Sequence, residues 1–496
     1  MNLMSIGFLL FFALSLLVYY GLPGRIRWIW LLIVSAGFYI SYGFSHVVYL
    51  AGSILITYLA GLWMGRHWSE EERDRTRRRW ILAGALFLNI GCLVILKYYN
   101  YSAGMLQFLL SRVGVHDSPR LFDFVLPLGI SFYTLQVAGY CIDVYRRKIE
   151  PEHNLAKYAL FVSFFPQIIQ GPIPRYDFLA PQLTAHHAFQ YQPFVHGLQR
   201  MLWGYFKKMV IADRAGLVVT GIFDNWYPSD YDGSQLLFGA ILFSIQLYTD
   251  FSGCVDIVSG CAECFGIELP RNFDRPYFAT SIQDFWRRWH ISLSSWLRDY
   301  VYIPLGGNRR GRFRQYVNIM LVFLVSGLWH GVGLSYLAWG FFHGFYQVAG
   351  KVLQPLRTRL IERSGMDRTT AGYRLLQRLW TFSLVTFAWI FFRAPSLRTA
   401  LSMVKRLLLD FHISYLVGDT LYALGLNMQN LYLLLACVVI LFAVETLQQK
   451  GSVRNMLDKQ PLVVRWAVVL TLMVSIVVFG IYGPYQDPAA FIYAQF

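Results

Sequence analysis

Charge is scarce in this chain. Only 15% of its 496 residues are charged, and the 28 Asp and Glu are outnumbered by 44 Lys and Arg. That depletion excludes an ordinary soluble domain, in which about a quarter of residues carry charge. Cysteine is sparse as well. Cys92, Cys141, Cys254, Cys261, Cys264 and Cys437 lie mostly in or beside apolar runs, so they form no secreted disulfide framework. Cys261 and Cys264 have CxxC spacing, but no second pair completes a zinc site, and structural roles are expected for all six. Catalytic signatures are missing too. There is no GxSxG elbow, no HExxH helix and no HxxxxD spacing after His290 or His330. These absences disfavour a serine hydrolase, a zincin and the glycerol-phosphate type of acyltransferase. GGNRRG is not a Walker loop, because no Lys-Ser/Thr follows its last glycine.

What is present is apolar: 56% of residues are hydrophobic and 17% aromatic. Repeated apolar runs have the length an α-helix needs to cross the hydrocarbon core, and the ten-residue alternation of a β-barrel is absent. The expected fold is an all-α, polytopic transmembrane bundle. Its spans are expected at 3–20, 27–44, 47–65, 80–97, 123–141, 209–224, 235–258, 316–330, 334–350, 375–393, 429–446 and 464–482. The N-terminal run has no basic n-region and no small-residue cleavage site, and reads as a retained first helix. No internal repeat appears, so residues 1–496 read as a single integral-membrane domain. The net charge of +16 reflects Lys and Arg spaced between apolar runs rather than gathered on one soluble face, which argues against nucleic acid. These basic loops include 66–79, 146–148, Lys207 with Lys208, 287–314 and 351–378. All fall on one side, expected to be cytoplasmic, with both termini outside. Pro166, Pro172, Pro174 and Pro181 interrupt the apolar stretch 158–206, which therefore reads as re-entrant and cavity-lining.

Two histidines carry the chemical interest. DFWRRWHISLSSWLRDYVYIPLGGNRRG contains His290, and GLWHG contains His330. An ionisable side chain at membrane depth is a functional candidate by default, and a neutral imidazole serves as a general base. The alternative for each is a core histidine bonded to a carbonyl. Topology sets the pair apart, facing one cavity from opposite sides as the two ends of an acyl path: His290 among cytoplasmic arginines on an amphipathic interfacial helix, and His330 deeper, beside Gly327, Gly331 and Gly333, which permit a tight turn and close helix approach. His343 in FFHGF reads as core packing. Asp250 reads as a helix cap or an arginine partner. The arginines from Arg298 to Arg314 have two readings, phosphate binding through guanidinium forks and the positive-inside rule.

These motifs, together with the preceding FFPQIIQGPIPR, resemble the membrane-bound O-acyltransferases. The closer likeness is to the bacterial branch that contains the alginate O-acetylase and the membrane subunits acetylating peptidoglycan or cellulose. The motifs cover roughly residues 120–350, and three of them occur in the family's order. The stretch YIPLGGNRRG departs from the related teichoic-acid D-alanylation protein and favours the polysaccharide branch. The resemblance implies a helical bundle with a central tunnel. His330 matches the family's nearly universal histidine, and His290 the second histidine of this branch. It further implies a cytoplasmic donor, acetyl-coenzyme A, held near Arg287, Arg288, Arg309, Arg310 and Arg312. No tightly bound cofactor or metal is expected. The acceptor would be an exported or cell-envelope polysaccharide, reached through a periplasmic or extracellular O-acetyltransferase partner, with the protein in the bacterial inner membrane among its lipids. The competing readings are a transporter or flippase of lipid-linked saccharides, which would show paired similar halves with broken helices, and a non-catalytic scaffold of a secretion complex.

Overall fold

A computed structural model describes residues 2–69, 71–113, 122, 124, 126–227, 230–416 and 424–482. Among them, every regular element is helical. Part of the start of the expected 123–141 span lies outside the described residues. Each expected span overlaps helix among the described residues, although 123–141 is helical only from Ile130 and 464–482 only to Phe479. Among the described residues, six helices are both long and apolar enough to cross a membrane: Phe44–Arg66, Glu72–Arg112, Gly233–Cys264, Ala371–Arg393, Met428–Gln448 and Leu462–Phe479.

The expected 80–97 span is the middle of a continuous 41-residue helix, Glu72–Arg112. At 1.5 Å per residue it is roughly 60 Å long, about twice the hydrocarbon thickness. Glu72 and Asp74 in its first turn complement the helix dipole, so residues 72–79 of the charged 66–79 run are helical.

Contacts divide the chain into two compact units, one of residues 1–198 with 258–270, the other of 199–257 with 271–496. The first unit contains α1 (Ile6–Gly21), α2 (Arg27–Ile40), α3 (Phe44–Arg66), α4 (Glu72–Arg112), α5 (Ile130–Tyr145), α6 (Leu155–Ser163) and α7 (Tyr176–Thr184). α5 is buried on nearly every face. The proline-rich segment after α6 is non-helical and buried through Phe164, Phe165, Gln167, Ile168 and Gln170. Its prolines remove backbone donors, and the remaining polar groups need partners. Several are supplied: Phe165 N donates to Ser35 Oγ at 3.1 Å, and Gln167 Nε2 donates to Gln136 Oε1 at 3.0 Å. Gly129 permits the close approach. It has φ +72°, and a Cβ there would lie 2.2 Å from the Ile168 carbonyl oxygen. Pro181 does not break the chain as the sequence suggests, because it lies inside α7.

α8 (Tyr191–Tyr205) leads through a π-helical stretch, Phe206–Ala212, into α9 (Asp213–Asp224), and α10 (Gly233–Cys264) follows. Gly204 meets α10 backbone to backbone: an added Cβ would lie 2.6 Å from the Gly253 carbonyl oxygen. The widened π turn buries both Lys207 and Lys208, so this pair, expected in a basic loop, is instead helical and ion-paired inside the unit. Lys207 Nζ lies 2.6 Å from Asp256, which Arg200 also holds at 3.0 Å. Lys208 Nζ lies 2.6 Å from Asp250 and 2.8 Å from Asp213. The partner of Asp250 is therefore a lysine, where the sequence suggested a cap or an arginine.

The rest of the second unit comprises α11 (Ile282–Arg288), α12 (Ile291–Leu297), α13 (Arg312–His330), α14 (Leu334–Val352), α15 (Gln354–Ser364), α16 (Ala371–Arg393), α17 (Leu397–Leu409), α18 (Met428–Gln448), α19 (Val453–Asp458) and α20 (Leu462–Phe479). α13 and α14 form a tight hairpin. A Cβ on Gly340 would lie 2.4 Å from the Phe323 carbonyl oxygen, and one on Gly327 2.5 Å from that of Tyr336. The turn between them uses Gly333 at φ +127°.

Candidate active site

Residues 286–297, from Trp286 to Leu297, do not form the single amphipathic helix expected from sequence. α11 starts with Ser281 Oγ accepting from Asp284 N at 3.1 Å and ends at Arg288. Trp289 is extended, and His290 takes φ +45°, ψ +54°, a left-handed conformation unfavourable for a residue with a side chain. What holds this break is the segment 272–274. Asp274 N donates to the Arg288 carbonyl at 2.9 Å, and Ile291 N to the Asn272 carbonyl at 3.0 Å. The kink turns His290 fully inward, and its ring meets Phe251 edge-on at 4.9 Å.

Asn272 then fixes the imidazole. Its Oδ1 accepts from Ser292 N at 3.1 Å and Ser292 Oγ at 2.9 Å, and lies 3.3 Å from His290 Nδ1. A backbone N–H only donates, so the atom receiving it is the amide oxygen, and His290 Nδ1 must carry the proton. The lone pair falls on Nε2.

His330 is the last residue of α13, 2% exposed. Its Nδ1 is 2.6 Å from the Ser326 carbonyl oxygen one turn back. A carbonyl accepts, so here too Nδ1 carries the proton and Nε2 the lone pair. Trp329 and Trp339, each with a ring centre 4.8 Å away, and Phe392 at 5.6 Å enclose the ring.

The two histidines are neighbours. Their ring centres are 6.4 Å apart, with the planes at 84°. This corrects the expectation that His290 stands among cytoplasmic arginines at one end of a path and His330 at the other. The reason is the kink at 289–290, which returns His290 to the C-terminal end of α13. Arg309, Arg310 and Arg312 are exposed at the opposite end of that helix. Its 19 residues span roughly 28 Å. Arg287 is exposed and Arg288 half-buried, the latter bonded to Asp284 at 2.9 Å. The structure therefore keeps Arg288 close in chain to His290 and separates the 309–312 turn from the histidine pair.

His343 is fully buried and has the opposite tautomer, because Trp286 Nε1 donates to its Nδ1 at 3.2 Å. It packs at 5.1 Å from both Trp286 and Trp339. Sequence reasoning missed Asn272, and also Arg275 and Arg378, which share a cavity with Arg288. Nothing in RNFDRP announces the role of Asn272, since its contacts are made only on folding.

Two neutral imidazoles with Nδ1–H tied and the lone pair on Nε2 have the protonation state needed to take a proton from a hydroxyl. The profile of the membrane-bound O-acyltransferase family matches residues 146–393, a range that holds both histidines. The chain belongs to this family. It is an acyltransferase embedded in a membrane. The probable alginate O-acetylase of Pseudomonas aeruginosa is 36% identical over 396 residues, covering 80% of this chain and 72% of that protein. The peptidoglycan O-acetyltransferase of Helicobacter pylori is 33% identical over 432 residues, 81% of this chain and 77% of that protein. The teichoic acid D-alanyltransferase of Bacillus subtilis is more distant, 27% identical over 284 residues, 55% of this chain and 68% of that protein.

Proposed function

We propose that this acyltransferase moves an acetyl group from a cytoplasmic donor, acetyl-coenzyme A, across the inner membrane for O-acetylation of an exported or cell-envelope polysaccharide. The observation that carries this reading is the buried pair His290 and His330, each with its Nδ1 proton held and its lone pair on Nε2. His330 Nε2 takes the proton of an acceptor hydroxyl as that oxygen attacks the thioester carbonyl. The C–O bond forms, the C–S bond breaks, and the proton passes to the leaving thiolate. A variant of the same chemistry has His330 carry the acetyl group transiently. His290 orients the acceptor or shares the proton.

The acceptor class rests on the named activities of the relatives with the higher identities, which act on alginate and peptidoglycan. A periplasmic or extracellular O-acetyltransferase completes the delivery. In this reading the chain crosses the membrane about twelve times with its basic loops cytoplasmic, and a tunnel carries the acetyl group across about 30 Å of hydrocarbon. The test uses sealed proteoliposomes of the full chain loaded with labelled acetyl-coenzyme A. Label appearing on an external acceptor, and only with wild-type protein, supports the reading. Transfer that is equal with His330→Ala overturns it.

A further inference from the structure

A polar cavity of about 250 Å³ opens beside the kinked segment, lined by Arg275, Phe278, Arg288, Arg378 and Gln449. Three guanidinium groups facing one small space repel one another unless something anionic joins them. Two are partly answered by protein carboxylates. Arg275 bonds Asp274 through Nε at 2.9 Å and Nη2 at 2.8 Å, and Arg288 bonds Asp284 at 2.9 Å. Arg378 is different. Its guanidinium stacks over the Phe278 ring at 5.1 Å, and its buried Nε has no hydrogen-bond partner. Asp274 and Asp284 answer Arg275 and Arg288, and the buried Glu445 also interacts with Arg275, which leaves Arg378 as the guanidinium with no carboxylate bonded to it among the described residues.

The backbone here is also held out of its ordinary range. Arg275 has φ +48°, a left-handed conformation in a residue with a side chain, directly before Pro276. Such strain persists where the surroundings over-determine it, and here it aims the Arg275 side chain at the same cavity as Arg288 and Arg378.

We infer that Arg275, Arg288 and Arg378 form a phosphate-binding pocket, and that its ligand is a phosphate ester presented by the acyl donor. This rests on the acyl-transfer reading and deepens it. Guanidinium forks match phosphate oxygens in geometry and charge. The volume is below the ~300–1,000 Å³ usual for sites that enclose a drug-sized ligand, so the pocket suits one end of a larger molecule rather than the whole.

The position is informative as well. α16 carries Arg378 at the cavity, then Phe382 against Tyr277 at 5.1 Å, Trp389 against Trp289 at 5.3 Å, and Phe392 against His330 at 5.6 Å. From Arg378 to Phe392 the helix rises roughly 21 Å. A phosphate anchored at Arg378 thus serves a donor whose reactive group hangs on a long, thin arm. The exposed turn of Arg309, Arg310 and Arg312 then keeps its topological role.

The same phosphate chemistry belongs to phospholipid headgroups, and the experiment separates the sources. Full-length protein is purified with Arg275→Gln, Arg378→Gln, Arg378→Lys and His330→Ala variants. Binding of coenzyme A is measured, with inorganic pyrophosphate as competitor, and retained phosphatidylglycerol is measured by native mass spectrometry. The inference predicts that pyrophosphate displaces coenzyme A from wild-type protein, and that each Gln variant weakens coenzyme A binding by about tenfold or more. Arg378→Lys should retain part of the affinity, and His330→Ala all of it. Loss of phosphatidylglycerol with unchanged coenzyme A binding would overturn the donor assignment and identify a lipid site. Unchanged binding of all three probes in folded Gln variants would overturn the pocket itself. Neither result touches the transfer assay with His330→Ala, so failure of the pocket and failure of the acyl-transfer reading are distinguishable.

Discussion

Asn272 Oδ1 stands 3.3 Å from His290 Nδ1 while also accepting the backbone N–H and hydroxyl of Ser292. One amide oxygen thereby sets the tautomer of the second histidine and ties down the start of α12. Asn272→Ala should lower turnover about 10- to 100-fold, as loss of an orienting partner typically does, and destabilise the fold by ~1–3 kcal/mol through the orphaned Ser292 donors. Asn272→Asp keeps the acceptor and should recover much of the stability. A purely structural role would lower the amount of folded enzyme without changing the pH–rate profile of the fraction that remains; the positioning role changes that profile.

The α13–α14 hairpin is set by glycine contacts at backbone distance. Gly340→Ala would drive a Cβ to 2.4 Å from the Phe323 carbonyl oxygen, so the helices must separate and His330 shifts with α13. The expected outcome is a loss of ~1–3 kcal/mol and reduced acetyl transfer. Thermal unfolding and turnover measured on the same preparation check it. Gly350→Ala is the control, since its added Cβ meets nothing within 4 Å.

Lys208 holds Asp250 and Asp213 at 2.6 and 2.8 Å in a buried cluster. Lys208→Met leaves two carboxylates without their cation and should cost about 3–5 kcal/mol. Adding Asp250→Asn and Asp213→Asn should recover a large part of that loss. Denaturation of the single and triple variants measures the recovery. A triple variant no more stable than Lys208→Met would show that the ion pairs are not the source.

Much of the fold was legible because membrane helices are written in hydropathy, and the apolar runs coincide with helices from Ile6 to Phe479. The glycines around His330 were legible for a similar reason, since close approach needs a residue without a side chain. The histidine geometry was not. A one-residue left-handed break at His290 has no signature when the residue is not glycine, and the sequence read straight through it as helix. Asn272 and Arg378 were hidden because their partners lie far along the chain. The N-terminal extension of α4 was missed because its charged residues, 72–79, resemble a loop in composition while including good helix formers.

Asp232, ahead of α10, offers a test outside the spans. Burial alone would raise its carboxyl, but His412 N at 3.0 Å and Ser234 N and Oγ at 2.8 and 2.7 Å hold it well below the usual carboxylate range. A depressed folded value stabilises above the unfolded one, about 4, and the benefit fades as pH falls through the folded value. Wild-type protein should therefore melt above Asp232→Asn at neutral pH, with the gap closing in strong acid. A gap that widens on acidification would contradict this.

The central claim is that the adjacent imidazoles act together on the acyl group. Acetyl transfer from labelled acetyl-coenzyme A by purified protein, compared among wild type, His330→Ala, His290→Ala and the double variant, tests it most directly. The prediction is a fall in turnover on the order of 10²–10⁴-fold for His330→Ala, a smaller fall for His290→Ala, and a double variant little worse than His330→Ala alone, as expected of residues working as a unit. Wild-type turnover in a correctly folded His330→Ala protein would contradict it.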